Sequence, residues 1–350
     1  MGRKCAKKAE DPPPLYRSDR GDICSNRILR LRGKLPDRED MTNTNPESAG
    51  IAPAGCVERW VQVDGLRVRF LHAGSGPAIV LVHGLLGYSF NWRRIVPLLS
   101  GRWQVFAPDL PGAGLSECDP SLDCQLSSAA RRLSAFLDAV GVGSCDLIGS
   151  SYGGTTAVLV AAAAPARVRR LILVSPANPW SKIGRKRLVL LRNRLAASIF
   201  PQAGRALRPL HSFFVRRMYG DSRRATPDSL RGYSLPLMRP GIFEHAVRIV
   251  RTWQGDMQEF QAALPKLSDT PTLLVWGSHD RVVDPASIGP LSRSSGNVRT
   301  AVIRGAGHLP YEECPEEFAE LIMNFLETGS PAISGRPTRE APTRPTREVT

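Results

Sequence analysis

The pattern that most constrains the fold of this chain is Leu-Ile-Gly-Ser-Ser-Tyr-Gly-Gly at residues 147–154. A short apolar run, typical of a buried strand, ends there at a Gly-x-Ser-x-Gly turn, and an Ala- and Val-rich helix follows at 155–164. So sharp a turn strains its central residue, and glycines two residues before and after it remove side chains that would clash. We therefore predict that Ser151 stands above a sheet edge, with the Tyr152 amide at the positive end of the new helix.

Strand and helix patterns alternate on both sides of this turn. Alternating polar and apolar residues at 57–63 and 66–71, joined by Asp64-Gly65, predict a hairpin. Further strands, mostly apolar throughout, are predicted at 78–82 and 104–107, through Leu147 and Ile148, and at 168–174, 272–276 and 298–303, and helices at 92–99, 126–140 and 316–326. This order predicts an α/β fold with a mostly parallel, eight-stranded sheet flanked by helices.

The alternation is interrupted once, by an Arg-rich helical insertion over residues 178–265. Between Asn178 and Pro265 there are 16 Lys and Arg residues against 5 Asp and Glu residues. The rest of the α/β domain is then 56–177 and 266–328. Residues 1–55 have no sustained apolar period and are expected to be disordered, and residues 329–350 form a low-complexity tail without core residues.

Most of the formal charge of +15 lies in this insertion. No helix-turn-helix, zinc-finger or aromatic–basic RNA-binding pattern accompanies it, so we expect no nucleic-acid partner. Two explanations of the charge stay open. One is peripheral contact with an anionic membrane surface, and the other is an ordinary solvated face of surface helices.

The cysteines and the N-terminal sequence indicate the compartment. The seven cysteines are odd in number and never in Cys-x-x-Cys spacing, as is typical of free thiols in a reducing compartment. The first residues are basic and then Pro-rich, without the apolar region of a secretory signal. We expect a cytoplasmic protein. Met41 precedes a more ordinary-looking sequence, so translation starting there is a hypothesis that an intact mass from the native host would test.

Four polar landmarks follow predicted strands: His83-Gly84, Ser151, Asp280 and His308. The carboxyl ends of parallel strands form the ligand-binding edge of such a sheet, so these landmarks are expected to lie together. A serine becomes a nucleophile only when a base takes its proton, and the base must be held in the right tautomer. His308 is the expected base, and Asp280 is the carboxylate expected to orient it.

The neighbouring polar residues have other expected roles. His83 is expected to shape its own loop, and His279 to point away from the site. Asp284 is a rival for the acid, whereas Asp109 is expected to tether its own loop. The Ser150 side chain should pack away from the site, because adjacent side chains of a strand point to opposite faces.

The sequence resembles the α/β-hydrolase superfamily, in its lid-containing branch with a serine nucleophile, over about residues 57–326. The matching motifs are HGLLG (83–87), DLPGAGLS (109–116), GSSYG (149–153), GSHD (277–280) and GAGH (305–308). The resemblance implies a Ser151–His308–Asp280 triad and an oxyanion hole from the backbone amides of Leu85 and Tyr152. It also implies that the Arg-rich insertion is a lid over an acyl pocket. A serine nucleophile disfavours the related dehalogenases and epoxide hydrolases that use aspartate.

The expected function is that of a serine hydrolase which cleaves an ester or related acyl bond of an apolar small molecule through an acyl-enzyme. Such chemistry requires no metal ion or organic cofactor. Two alternatives use the same residues. One is hydrolysis of a carbon–carbon bond in a dienoic ketone, and the other is a ligand-binding receptor built on the same fold.

Overall fold

The computed structural model describes residues 53, 55–183 and 194–329. The predicted disordered extension over 1–55 and the predicted tail over 329–350 lie outside the described residues, except at positions 53, 55 and 329.

Eight strands form one sheet in the described part of the chain, in the order β1-β2-β4-β3-β5-β6-β7-β8. β1 pairs with β2, and β2 with β4, in antiparallel fashion, and the other neighbours are parallel. The predicted eight-stranded, mostly parallel sheet is therefore confirmed. The strand bounds are β1 Val57–Val63, β2 Leu66–Ala73, β3 Ala78–Val82, β4 Gln104–Pro108, β5 Cys145–Ser150, β6 Val168–Val174, β7 Thr272–Gly277 and β8 Val298–Ile303.

Helices flank the sheet, and a run of them lies between β6 and β7, where the insertion was predicted. The bounds of the described α-helices are α1 Val96–Leu99, α2 Leu126–Ala139, α3 Tyr152–Ala163, α4 Arg194–Ala206, α5 His211–Met218, α6 Pro227–Ser234, α7 Ile242–Ala263, α8 Ile288–Ser292, α9 Pro310–Glu313 and α10 Pro315–Thr328.

One helix begins later than its pattern predicts. Instead of a continuous helix over 92–99, the chain makes a 3₁₀ turn at Ser89–Trp92, and α1 begins only at Val96. Pro97 explains the difference, because proline lacks an N–H group and is tolerated only in the first turn of a helix.

The central strands bury side chains on both faces of the sheet. Val80 and Val82 pack into one hydrophobic cluster with α2 and α3, whereas Ile79 and Leu81 pack into a second cluster with α10. As predicted, α10 turns its apolar side chains inward, and the residues concerned are Phe318, Leu321, Ile322 and Phe325. Burial on both faces explains why these strands are apolar throughout.

The carboxyl ends of β3 and β5 meet the start of α3 with no room for side chains. A Cβ added to Gly153 would lie 2.3 Å from the His83 carbonyl oxygen and 2.5 Å from that of Val82. A Cβ added to Gly149 would lie 2.4 Å from the Gly153 carbonyl oxygen. The glycines of the Gly-x-Ser-x-Gly turn therefore let three backbone segments touch.

The substitution Gly153→Ala should destabilise the fold by about 1–3 kcal/mol, because the new methyl group must displace backbone atoms of β3. Gly255→Ala is the matched control within a helix. An added Cβ there meets nothing within 4 Å, so removing a helix-interior glycine should leave stability unchanged or raise it. Free energies of unfolding from denaturant titration would test both. Equal stability of Gly153→Ala and the unsubstituted protein would contradict the close contact.

Candidate active site

Ser151 lies between the end of β5 and the first residue of α3, in a strained backbone conformation. Its φ is 52° and its ψ is −120°, a region that residues other than glycine rarely adopt. The Ser151 amide donates to the Val174 carbonyl oxygen at 2.9 Å, which ties the turn to β6. The neighbouring Ser150 is buried, and its Oγ lies 3.3 Å from the Tyr311 hydroxyl. Ser150 thus points away from the partly exposed Ser151, as predicted.

Asp280 and His308 form a hydrogen-bonded pair at the carboxyl edge of the sheet. The Oδ2 atom of Asp280 lies 2.9 Å from Nδ1 of His308, and both side chains are buried. Oδ1 accepts hydrogen bonds from the amides of Val282 at 2.7 Å and Val283 at 3.0 Å. Burial raises the pKa of the Asp280 carboxyl, but His308 and these two amides outweigh it, and the net effect is a lowered pKa. An ionised Asp280 only accepts, so Nδ1 of His308 donates, and none of the described residues forms a hydrogen bond with Nε2.

Among the described residues, no hydrogen bond joins the Ser151 hydroxyl to His308. Such contacts between a nucleophile and its base are often long without substrate and tighten in the substrate complex. The structure therefore brings Asp280 and His308 together directly, and it places Ser151 at the same sheet edge through the end of β5.

His83 has the structural role that was predicted for it. Its Nε2 atom accepts a hydrogen bond from the Leu110 amide at 2.9 Å, so the proton is on Nδ1, which donates to the Gly84 carbonyl oxygen at 2.8 Å. Burial lowers the pKa of the ring and keeps it neutral. His83 therefore fixes the loop that begins at Gly84. A Cβ on Gly84 would lie 3.0 Å from the Cβ atom of Ser151, so this loop rests against the serine.

The Leu85 and Tyr152 amides have no hydrogen-bond acceptor in the part of the chain that the structure describes. Tyr152 is the first residue of α3, where backbone N–H groups lack intrahelical partners. Leu85 directly follows the glycine that contacts Ser151. Both residues therefore carry a backbone donor that is unpaired among the described residues, one directly after Ser151 and one directly after a glycine that contacts it.

The remaining polar residues are engaged elsewhere. Asp284 accepts from the Ala286 amide at 3.0 Å and so caps a short 3₁₀ helix, and His279 is exposed. Asp109 accepts from the amides of Ser89 at 2.8 Å and Leu115 at 2.9 Å, which confirms that it tethers its own loop.

Residues 77–315 match the family described as "alpha/beta hydrolase fold". The chain belongs to this family.

The chain is similar to proteins whose names indicate different activities. The uncharacterized hydrolase YugF of Bacillus subtilis is 26% identical over 282 residues, which are 76% of this chain and 96% of the relative. Haloalkane dehalogenase 2 of Mycobacterium tuberculosis is 28% identical over 272 residues, 76% and 93% of the two chains. A membrane phospholipase A of known crystal structure is 29% identical in sequence, with a TM-score of 0.63. The match covers 78% of this chain and 86% of the phospholipase chain. The family and these relatives identify the chain as a hydrolase.

The loop that carries His308 in this hydrolase is held by a buried glutamate that the sequence analysis missed. The Glu313 carboxylate accepts hydrogen bonds from the Gly307 amide at 2.6 Å, the Gly220 amide at 2.9 Å and the Asp221 amide at 3.3 Å. In addition, the His308 amide donates to the Met218 carbonyl oxygen at 2.7 Å. The helical insertion is thereby joined to the loop of the candidate base.

A sequence signal for this role exists. Glu312 and Glu313 form an acidic pair inside the run Leu-Pro-Tyr-Glu-Glu-Cys-Pro, and buried carboxylates need partners.

Burial raises the pKa of Glu313, and the three backbone amides oppose that rise.

A pocket that is partly open to solvent adjoins the site. Leu85 and Tyr152 line it, whereas Ser151 and His308 do not. The insertion contributes apolar residues to its wall, namely Pro236, Ile242, Ala246 and Ile249. The pocket therefore lies beside Leu85 and Tyr152, at the sheet edge that carries Ser151, Asp280 and His308.

His245, on α7, packs against the loop that follows Asp109 and gives the pocket a polar wall. Its ring packs so closely on Gly112 that a Cβ there would lie 2.4 Å from Cε1, and Cys124 Sγ lies 3.5 Å from Nδ1. Burial, with the positive charges of Arg248 and Arg132, lowers the pKa of His245 to about 4. His245 is therefore neutral at physiological pH.

Three further features concern the described residues alone. No group of three His, Cys, Asp or Glu side chains there is arranged to hold a metal ion. The five cysteines described are free thiols, namely Cys56, Cys118, Cys124, Cys145 and Cys314. No helix there combines the length and apolar character needed to cross a membrane.

The depressed pKa of His245 predicts a stability change with pH. As pH falls from about 6.5 to about 4, His245 takes up a proton in the unfolded chain but not in the folded chain. The free energy of unfolding therefore decreases by on the order of 2–3 kcal/mol over this range. The contribution is complete above about pH 6.5. In denaturant titrations across this range, the free energy of unfolding of His245→Gln should fall less steeply with decreasing pH than that of the unsubstituted protein. His279→Gln, at an exposed position, should keep the original pH dependence. An unchanged slope in His245→Gln would contradict the assignment.

Proposed function

We propose that this protein is a serine hydrolase that cleaves an ester or related acyl bond of an apolar small molecule through an acyl-enzyme. The observation that carries the proposal is the conjunction at one sheet edge of a strained Ser151, two unpaired amides beside it and a histidine oriented by Asp280. A protein that only binds its ligand has no chemical need for the buried Asp280–His308 pair, which disfavours the receptor alternative.

Each residue has one role in the proposed reaction. The Ser151 Oγ atom attacks the acyl carbon while Nε2 of His308 takes its proton, and the Leu85 and Tyr152 amides donate to the oxyanion. The intermediate collapses with transfer of that proton to the departing alkoxide, which leaves the acyl group on Ser151. Water then attacks the acyl-enzyme by the same route and regenerates the serine. Asp280 stays ionised and stabilises the imidazolium form of His308.

The pocket supports an apolar substrate. Its wall is mainly aliphatic, and Arg132 is the one side chain with a permanent charge among the described residues that line it. The insertion supplies one side of that wall, which supports the proposal that it acts as a lid. The likeness to a membrane phospholipase A supports ester cleavage, whereas a serine in the nucleophile position disfavours dehalogenation.

Labelling with a fluorophosphonate probe tests the nucleophile. The unsubstituted protein and Ser150→Ala should be labelled, and Ser151→Ala should not, because Ser151 is partly exposed whereas Ser150 is buried. With p-nitrophenyl esters of increasing chain length, Ser151→Ala should lower kcat by about a million-fold. Labelling without turnover of any ester, but with turnover of a dienoic ketone, would replace the ester proposal by the carbon–carbon alternative. Labelling of Ser151→Ala at the rate of the unsubstituted protein would refute both.

The orienting acid is tested by a matched pair of substitutions. Asp280→Asn should lower kcat by on the order of ten-thousand-fold, because an amide no longer enforces the productive tautomer of His308. Asp284→Asn retains an oxygen for the Ala286 amide and should leave kcat close to its original value. If Asp284→Asn lost activity and Asp280→Asn did not, the acid would be Asp284.

A further inference from the structure

The helical insertion exposes a concentrated set of large apolar side chains. Of the thirteen exposed large hydrophobic residues in the described chain, six lie within residues 199–214. We call this set the apolar face. Its members are Ile199 (55% exposed), Phe200 (41%), Leu207 (45%), Leu210 (51%), Phe213 (63%) and Phe214 (47%).

Four of the six members of the apolar face lie on one side of nearly continuous helical structure. α4, a 3₁₀ turn at Arg208–Leu210 and α5 follow one another directly, and Phe200, Leu207, Leu210 and Phe214 are spaced as residues on one helical face.

Other residues of these helices pack against the rest of the protein. A Cβ on Gly204 would lie 2.7 Å from the Phe243 ring of α7. Pro201 is buried, and Val215 is 2% exposed within the same hydrophobic cluster as α10. These contacts hold the two helices on the protein, while the six side chains of the apolar face remain exposed to solvent.

The charge of the same segment has one sign. Residues 194–218 include five arginines and no aspartate or glutamate. Arg205 pairs with Glu244, but none of the described carboxylates forms an ion pair with Arg208, Arg216 or Arg217. An apolar face bordered by cationic side chains is complementary to a surface that is anionic outside and apolar beneath.

We propose that this segment docks the protein on the surface of an anionic phospholipid bilayer. The apolar face would enter the boundary between headgroups and acyl chains, and the arginines would contact lipid phosphates. An ordinary solvated face would not need six large apolar residues, and a nucleic-acid surface would not need the aliphatic ones. The proposal does not depend on the proposed catalytic activity.

Docking at this position would bring the bilayer close to the pocket. Phe243, against which α4 packs, belongs to a small hydrophobic cluster with Leu237, Ile242 and Leu86. Ile242 and Leu86 also line the pocket. A bilayer in contact with the apolar face is thus one helix away from the pocket wall.

Flotation of the full chain with vesicles tests the proposal. The unsubstituted protein should bind vesicles that contain phosphatidylglycerol much more tightly than vesicles of phosphatidylcholine alone, and added salt should weaken the binding. The double substitution Phe213→Ser and Phe214→Ser should lower the partition coefficient at least about tenfold, because it removes two large apolar anchors. Leu98→Ser, at an exposed apolar position outside the face, should bind as the unsubstituted protein does.

Three controls make the result decisive. Hydrolysis of a water-soluble p-nitrophenyl ester and the unfolding midpoint should be unchanged in the double variant, which shows that it is folded. Vesicle binding is also measured with Ser151→Ala, which removes the proposed nucleophile. This measurement tests membrane docking separately from catalysis, so the docking proposal can be judged even if no esterase activity is found. Equal binding by the double variant and the unsubstituted protein, or no preference for anionic lipid, would overturn the proposal. The proposal would also be overturned if the unsubstituted protein formed a dimer without lipid and the double variant did not. The apolar face would then be an interface between two copies of the chain.

Discussion

The contact between Gly153 and the carbonyl oxygens of Val82 and His83 is the constraint on which the site depends. It sets the end of β3 against the start of α3, so the loop after His83 must pass beside Ser151. Strain of the kind seen at Ser151 costs about 1–3 kcal/mol and persists only where its surroundings fix it. Here the Ser151 amide is bonded to Val174, and the Ser151 carbonyl oxygen accepts from the amides of Thr155 and Ala177.

Much of this arrangement was predictable because it follows from local pattern. The strands at 78–82, 168–174 and 298–303 have the predicted bounds, since each is a run of mainly apolar or β-branched residues between turns. The pairing of Asp280 with His308 followed from the rule that strand ends meet at one sheet edge.

The rest depends on contacts between distant segments. The Glu313 carboxylate accepts a hydrogen bond from the Gly220 amide, 93 residues earlier in the chain. The local sequence around either residue does not predict this contact. The same holds for the close approach of His245 to Gly112. The resemblance implied that the insertion covers an acyl pocket, but Phe213 and Phe214 face solvent. A helical pattern of apolar residues does not by itself show which of them will be buried against the rest of the fold.

The Glu313 carboxylate has a mechanical consequence. It holds Gly220 of the insertion and Gly307 of the His308 loop with the same pair of oxygens, and it is only 8% exposed. Lifting the segment around Gly220 would leave a buried carboxylate partly unpaired, at a cost of several kcal/mol. This end of the insertion is therefore anchored, and any displacement large enough to release it would also shift the loop that carries His308. The segment around Gly220 and the position of the His308 ring are thus coupled through one buried carboxylate.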